Sequence, residues 1–480
     1  MSAPLFYRRH ARMRTASVLV LGAMVWCAAA RAGVDSAPVA GQPWPVATGQ
    51  QSLPVRPFTA PDAADPATQT TSWTLAQLSN YALAHNPATK AAWAGALADQ
   101  FGVDGARALL KPAVNANIPF TISRASGADA SGVTRTVSPS LSLAWIVFDA
   151  GARADAVEAA QWQELSSRLL YNRELQTVLN DVEQSYFTLL GARQLAAAAE
   201  VTVAAARTSA DAARARRSAG VGTAGDTAQA DAALSLASLQ LVQAQSSARS
   251  AAGQLASAVG LPVTSALALA DDGAPLADQP NLPGVDQLLA MARLTRADLA
   301  SSQAQLRQGE AQLRATRAQG LPTLALSAQL NRSFSNNTSP AGSRTIGLAL
   351  SFPLYDGGLV RAQTGAAQAR VEQLAAQSRQ QQQSVELEVW QSFQGAASAS
   401  AVIASARDLL ASASEAEAAA RERYRVGVGT LLELMVAQSD AAQARVSLIQ
   451  AQYGARLAYA SLAYAVGSRS ALAENQKGRP

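Results

Sequence analysis

One register runs through this chain twice. Phe148-Asp149-Ala150-Gly151 and Tyr355-Asp356-Gly357-Gly358 lie 207 residues apart, and the same offset carries Gly220-Val221-Gly222-Thr223 onto Gly427-Val428-Gly429-Thr430. It also carries Ala258-Val259-Gly260 onto Ala465-Val466-Gly467. A gapless register of this length means one structural unit used twice. Upstream, Pro112 meets Pro322 at an offset of 210, so the loop between is three residues shorter in the second copy.

The period of the apolar residues says what the unit contains. Val114, Ala116, Ile118, Phe120 and Ile122 alternate with small or polar residues, and Leu141, Leu143, Trp145 and Val147 do so after a turn. In copy two Leu324, Leu326, Ala328 and Leu330 form one stripe and Ile346, Leu348, Leu350 and Phe352 the other, across Asn336-Asn337 and Gly342. Each copy therefore holds a hairpin of strands roughly 10–12 residues long, apolar on one face. The remainder is helical: residues 151–219 contain no proline, and Leu175, Val178, Val182, Tyr186 and Leu189 step by three or four. Two shorter helices, one before the hairpin with a break at Asn86-Pro87 and one after the Gly-Val-Gly-Thr turn, match the long one laid end to end. That arithmetic predicts an antiparallel rod.

The boundaries follow. Residues 1–32 read as a secretory signal: four arginines, an apolar run, and Ala30-Arg31-Ala32 before Gly33. Cys27, the only cysteine, lies inside it behind Trp26, which is too large for a lipoprotein site, so no disulfide or thiol chemistry follows. Residues 33–71 form a Pro-rich leader expected to be extended or disordered. Repeat one spans 72–260, with its hairpin at 112–148 and a tip turn at 220–223; a link covers 261–285. Repeat two spans 286–467, with a hairpin at 322–355 and a tip turn at 427–430; a tail covers 468–480. The first 32 residues hold five arginines and no acid, so the formal charge of +5 falls to zero beyond them. A neutral chain gives no support for a nucleic-acid partner.

After residue 32 no stretch reads as a membrane-spanning helix, so any spanning structure is β. Four strands of bilayer-crossing length with an apolar outer face suit a barrel wall but cannot close one, so the chain is expected to oligomerise. A soluble hairpin packed on helices would share the alternation. Trp145, Phe148, Phe352 and Tyr355 sit where strands meet helices, the place of an interfacial aromatic girdle.

The Thr-Leu…Asn-Pro opening, the strand-ending Phe/Tyr-Asp-x-Gly and the Gly-Val-Gly-Thr turns followed by Asp226 or Glu433 resemble the TolC-like outer membrane factors over about residues 72–468. The resemblance implies an α+β membrane protein of two tandem repeats. In a homotrimer, twelve pooled strands form an outer-membrane β-barrel and the long helices a periplasmic α-helical barrel. It implies a periplasmic adaptor and an inner-membrane transporter of ABC type as partners, outer-membrane lipid around the barrel, and a passive exit duct of type I secretion. The missing lipid cysteine and the Arg- and Ala-rich character resemble the toxin-secreting branch, cyclolysin export included, more than the lipoprotein efflux branch. The tip turns, Gly220, Gly222, Thr223, Gly427, Gly429 and Thr430, would contact the adaptor. Asp226 and Tyr424 would form a tip contact, and Glu433 would line the aperture. Three departures, Gly225, Gly429 and Val436, imply a thinner closing network and weaker cation affinity than the family pattern.

No enzyme chemistry is expected. Gly220-Val221-Gly222-Thr223-Ala224-Gly225 spells a dinucleotide fingerprint, but a helix and not a strand precedes it, and copy two lacks the third glycine. His85 is the only histidine after the signal, so neither a triad nor a zinc cluster can be assembled, and no cofactor is implied. Two alternatives to a secretion duct remain: a drug-efflux channel, and a soluble periplasmic coiled-coil scaffold.

Overall fold

A computed structural model describes residues 40–43, 72–124, 133–270 and 282–467. The signal, most of the leader, the centre of the link and the tail lie outside the described residues. Copy one holds α1 (Leu75–His85), α2 (Pro87–Ala108), β1 (Ala113–Asn117), β2 (Phe120–Arg124), β3 (Val133–Val137), β4 (Ser140–Phe148), α3 (Ala152–Ser218) and α4 (Ala224–Val259). Copy two holds α5 (Val285–Thr295), α6 (Ala297–Ala318), β5 (Thr323–Ser335), β6 (Ala341–Ser351), α7 (Leu359–Arg425) and α8 (Leu431–Val466). The helices of both copies are 11, 22, 67 and 36 residues long. The long helix is thus about 100 Å, and the two shorter sections beside it are about 50 Å each. α3 packs along α2 and α4 of its own copy and along α6 and α8 of the other.

Local chemistry sets the element ends. Thr74 caps α1 with a complete capping box to Gln77, and Asn86 ends α1 while its side chain caps α2, whose first residue is Pro87. At the strand-to-helix corners Asp149 accepts from the Arg153 amide at 3.1 Å, and Asp356 accepts from Gly358 and Val360 at 2.9 and 2.8 Å. Both corners need left-handed backbone. Copy two uses Gly357 and Gly358 (φ 68° and 87°), whereas copy one puts Ala150 (φ 54°) before Gly151. Arg153 locks the first corner by bonding Asp149, the Ile146 carbonyl and the Leu109 carbonyl.

The six strands form one antiparallel sheet that works as four. β1 and β2 are one strand bent at Ile118-Pro119, and β3 and β4 are one strand bent at Ser138-Pro139. The alternation in the sequence ran straight through the first point and began just after the second. Proline has no amide hydrogen, so each ladder is interrupted there, and the Ser138 amide turns to the Pro119 carbonyl at 3.1 Å. β5 is unbroken and pairs with both halves of its neighbour and with β6. The two hairpins are therefore joined through β4 and β5. β1 and β2 on one side and β6 on the other keep an unpaired edge among the described residues.

The helical cores repeat as the sequence does. Leu78, Val178, Val182, Leu255 and Val259 form one cluster, and Leu288, Val385, Val389, Leu462 and Val466 form its counterpart. Beside the second cluster lies a buried ionic group without a repeat partner. Arg296 bonds Asp298 at 2.6 and 3.0 Å, Glu388 at 2.6 Å and the Ala465 carbonyl at 3.0 Å, with Arg173 of α3 3.9 Å from both carboxylates. In copy one Asn86 reaches the equivalent carbonyl, that of Ala258, at 2.8 Å.

Two expectations need correction. Within the leader, residues 40–43 are docked: the Gly41 amide donates to the Tyr171 hydroxyl at 2.8 Å, and a Cβ on Gly41 (φ 98°) would stand 2.6 Å from the Leu83 carbonyl oxygen. Also, α3 contains an 18-residue window of mean hydropathy 1.2, enough by length and composition to cross a membrane. Alanine raises that figure, since each methyl counts as apolar yet contributes little burial, and at 67 residues the helix is about three times a bilayer span.

Candidate channel tip and membrane face

At one end of the helices the two Gly-Val-Gly-Thr turns are neighbours. Gly220 and Gly427 take left-handed φ values of 75° and 84° to end α3 and α7. Gly222 and Gly429 serve a different need. A Cβ on Gly222 would stand 2.9 Å from the Arg217 nitrogen, and one on Gly429 3.0 Å from the Arg423 Cβ, because the turn folds back on the helix it leaves. Thr223 then caps α4 in a complete box: it accepts from the Asp226 amide at 3.0 Å while its own amide donates to the Asp226 carboxylate at 3.1 Å. Hydrogen bonds to that carboxylate from the Thr223 side chain and the Thr223 amide hold Asp226 below the usual carboxylate range. Thr430 caps α8 through the Glu433 amide at 3.2 Å, but the Glu433 carboxylate turns away and pairs with Arg423.

Within one protomer Asp226 and Tyr424 do not meet. Asp226 is spent on its cap, and Tyr424 meets Arg216 instead: the guanidinium lies 4.9 Å from the ring centre and donates to the Tyr424 carbonyl at 3.0 Å. Beneath them Ala210, Ala213, Ala230 and Leu431 form a small core against which Tyr424 packs. Several ion pairs within one protomer surround the turns. Arg214 bridges Asp211 and Asp231, Arg425 pairs with Glu422, and Arg421 and Arg445 both hold the buried Glu417. The extreme tip is basic: residues 214–226 and 421–433 hold six arginines against Asp226, Glu422 and Glu433. Motif matching concentrated on the turn and missed Arg216 and Arg423, whose signal was the clustering of arginine in both last helical turns. Val436, at the position of the second expected acid, is exposed.

At the other end the sheet has two chemically distinct faces. Cross-strand register puts Val114, Leu143, Ala328 and Ile346 in one row, and Trp145, Leu326 and Leu348 in the next. The opposite face carries rows such as Asn115, Ser142, Gln329 and Thr345. Ile346, Leu348 and Leu350 are all exposed. An apolar face open to its surroundings is unstable in water and suited to hydrocarbon. At the helix end of that face Trp145 donates to the Leu110 carbonyl at 2.9 Å, Phe148 and Phe352 are exposed, and Tyr355 is 91% exposed.

Comparison with known proteins agrees with this arrangement. The family profile described as Outer membrane efflux protein matches residues 78–261 and 288–468, one segment in each copy. Protein CyaE of Bordetella pertussis is 32% identical over 407 residues, covering 84% of this chain and 85% of the relative. Outer membrane efflux protein BepC of Brucella suis is 26% identical over 356 residues, 73% of this chain and 76% of that one. Among solved structures, the outer-membrane channel OprN superimposes with a TM-score of 0.73 at 21% identity, over 82% of this chain and 90% of its own.

Proposed function

This chain belongs to the outer membrane efflux protein family, channel proteins of the outer membrane that extend into the periplasm, and from that premise we propose that it is the exit duct of a tripartite export system. In that reading three copies pool twelve strands into one barrel, and their helices continue it as a periplasmic tube. An adaptor docks at the tip turns, and an inner-membrane transporter of ABC type supplies the energy. The soluble-scaffold alternative falls with the family assignment.

The observation that carries the proposal is the four-strand sheet with an exposed apolar face and two unpaired edges. An open edge left in a bilayer strands amide and carbonyl groups in hydrocarbon, at several kcal/mol each. Copies of the same sheet remove that cost by pairing β6 of one with β1 and β2 of the next. The inner face is then lined with Asn, Ser, Gln and Thr, uncharged groups suited to passing varied cargo. Cysteines placed on β1 and β6 and joined by a short bismaleimide are expected to give a covalent trimer. A ladder that stops at the dimer would refute the closure.

For cargo, the reading favoured is a type I secreted protein toxin. It is supported by the toxin-branch resemblance and by the sole cysteine lying in the signal-like segment. Drug efflux is the second reading, favoured by the similarity to BepC, which is titled an efflux protein. Deleting the gene and measuring both toxin export and drug sensitivity separates them.

A further inference from the structure

The apolar face of the sheet does not end in neutral residues. Following the register away from the helices, the row Leu330–Leu141 contains Arg344, the next contains Arg332, and further out on the same face come Arg135, opposite Ile122, and Arg124, opposite Val133. All four arginines are exposed. None of their guanidiniums has a carboxylate partner among the described residues, and the described strands contain no Asp or Glu at all. Arg332 and Arg344 are diagonal neighbours on β5 and β6, with backbones about 7–8 Å apart. Like charges this close repel, and an anion held between them would relieve that repulsion. One side-chain contact in the group is informative: Arg332 stands 5.4 Å from the ring centre of Phe334, one step further out. Its guanidinium therefore leans toward the end of the sheet remote from the helices.

The height of this belt fits a membrane boundary. From Leu324 to Arg332 is eight residues, about 26 Å along the strand and about 20 Å once tilted by roughly 40°. An outer-membrane barrel carries an apolar band of about 25 Å. The helices reach into the periplasm, so the arginines stand at the outer leaflet, on the lipid side. Long cationic side chains there extend to the headgroups, and guanidinium binds phosphate in a bidentate fork.

We propose that Arg332 and Arg344, with Arg135 and Arg124 above them, form a binding belt for the phosphates of a phosphorylated glycolipid of the outer leaflet. The proposal rests on the barrel reading above. It assigns the belt an annular lipid and not a transported substrate, since these residues share the face of Leu326 and Leu348 and not that of Asn115 and Gln329.

The test uses the full-length detergent-purified protein and bisphosphorylated lipid A, with binding read by native mass spectrometry. R332Q/R344Q is expected to weaken binding at least tenfold, as loss of two charge-assisted contacts requires. R332K/R344K, which keeps the charge but loses the bidentate fork, is expected to bind several-fold more weakly than wild type and more tightly than the glutamine variant. Unchanged binding by it would overturn the proposal if the glutamine variant fails to assemble. Dephosphorylated lipid A should bind wild type no better than bisphosphorylated lipid A binds R332Q/R344Q. Equal binding by wild type and R332Q/R344Q would overturn the proposal. So would an equal loss in R217Q at the tip, or inorganic phosphate binding as tightly as the lipid. Failure of the barrel reading shows separately, as release of the protein from outer membranes by carbonate washing.

Discussion

Replacing Arg296 by asparagine tests how the two copies are pinned together. Asparagine is what copy one uses at this position, so R296N can in principle still meet the Ala465 carbonyl as Asn86 meets that of Ala258. What it removes is the cation shared by Asp298 and Glu388. The Arg296 side chain is 3% exposed and that of Asp298 14%, while Glu388 is 36% exposed and keeps water. Stripping a partner from a buried pair costs about 3–5 kcal/mol, and the wetter Glu388 argues for the lower end, about 3 kcal/mol. At about 2 °C per kcal/mol for a large domain, the helical signal in circular dichroism should melt about 6 °C lower. The double variant R296N/D298A restores charge balance and copies Ala88 of repeat one, so it should regain at least half. Acid adds a sign. Burial opposes ionisation of Asp298, but the bonds and charge of Arg296, with Arg173, outweigh it and hold the carboxyl below its usual range. A depressed folded pKa stabilises above the unfolded value, near about pH 4, and that contribution is lost as pH falls through the folded value. The gap between wild type and R296N should therefore be widest at neutral pH and narrow below about pH 4. Melting within 1 °C of wild type at pH 7, or a double variant less stable than the single, would refute the reasoning.

Other perturbations follow from the corners and the tip. In planar bilayers E433Q should move ion preference away from cations, because it leaves Arg423 without its carboxylate partner; unchanged reversal potentials would remove Glu433 from the aperture. T223A deletes the hydroxyl that receives the Asp226 amide, so hydrogen exchange in the first turn of α4 should quicken while that of α8, capped by Thr430, does not change. Ala150 holds a backbone conformation that costs roughly 1 kcal/mol for a residue with a Cβ, so A150G should raise the thermal midpoint slightly and G357A should lower it. G41V puts a side chain where the Leu83 carbonyl stands and should free residues 40–43 to protease without changing the helical melt.

The sequence made the long-range plan readable because the plan is written twice. Coincident offsets in the Gly-Val-Gly-Thr turns and the Phe/Tyr-Asp corners gave helix lengths that the structure repeats residue for residue. Features that differ between copies were the ones missed. The Arg296 group was invisible because its register partner is Asn86, and ionic pairs between distant helices have no period. Pro119 breaks a strand whose alternation continues through it, since side-chain pattern reports facing and not hydrogen bonding, and the strand before Pro139 was not read at all. At the tip, motif matching fixed the turns but not the contacts within a protomer, where Asp226 boxes Thr223 and Tyr424 meets Arg216.

The unpaired margins of the sheet also bear on how such a molecule is made. If the barrel closes as proposed above, a chain that has not yet met its siblings carries greasy strands and bare amides through an aqueous compartment. Recruitment of sister chains and entry into lipid are then one coupled step, because either alone leaves β1, β2 and β6 bare.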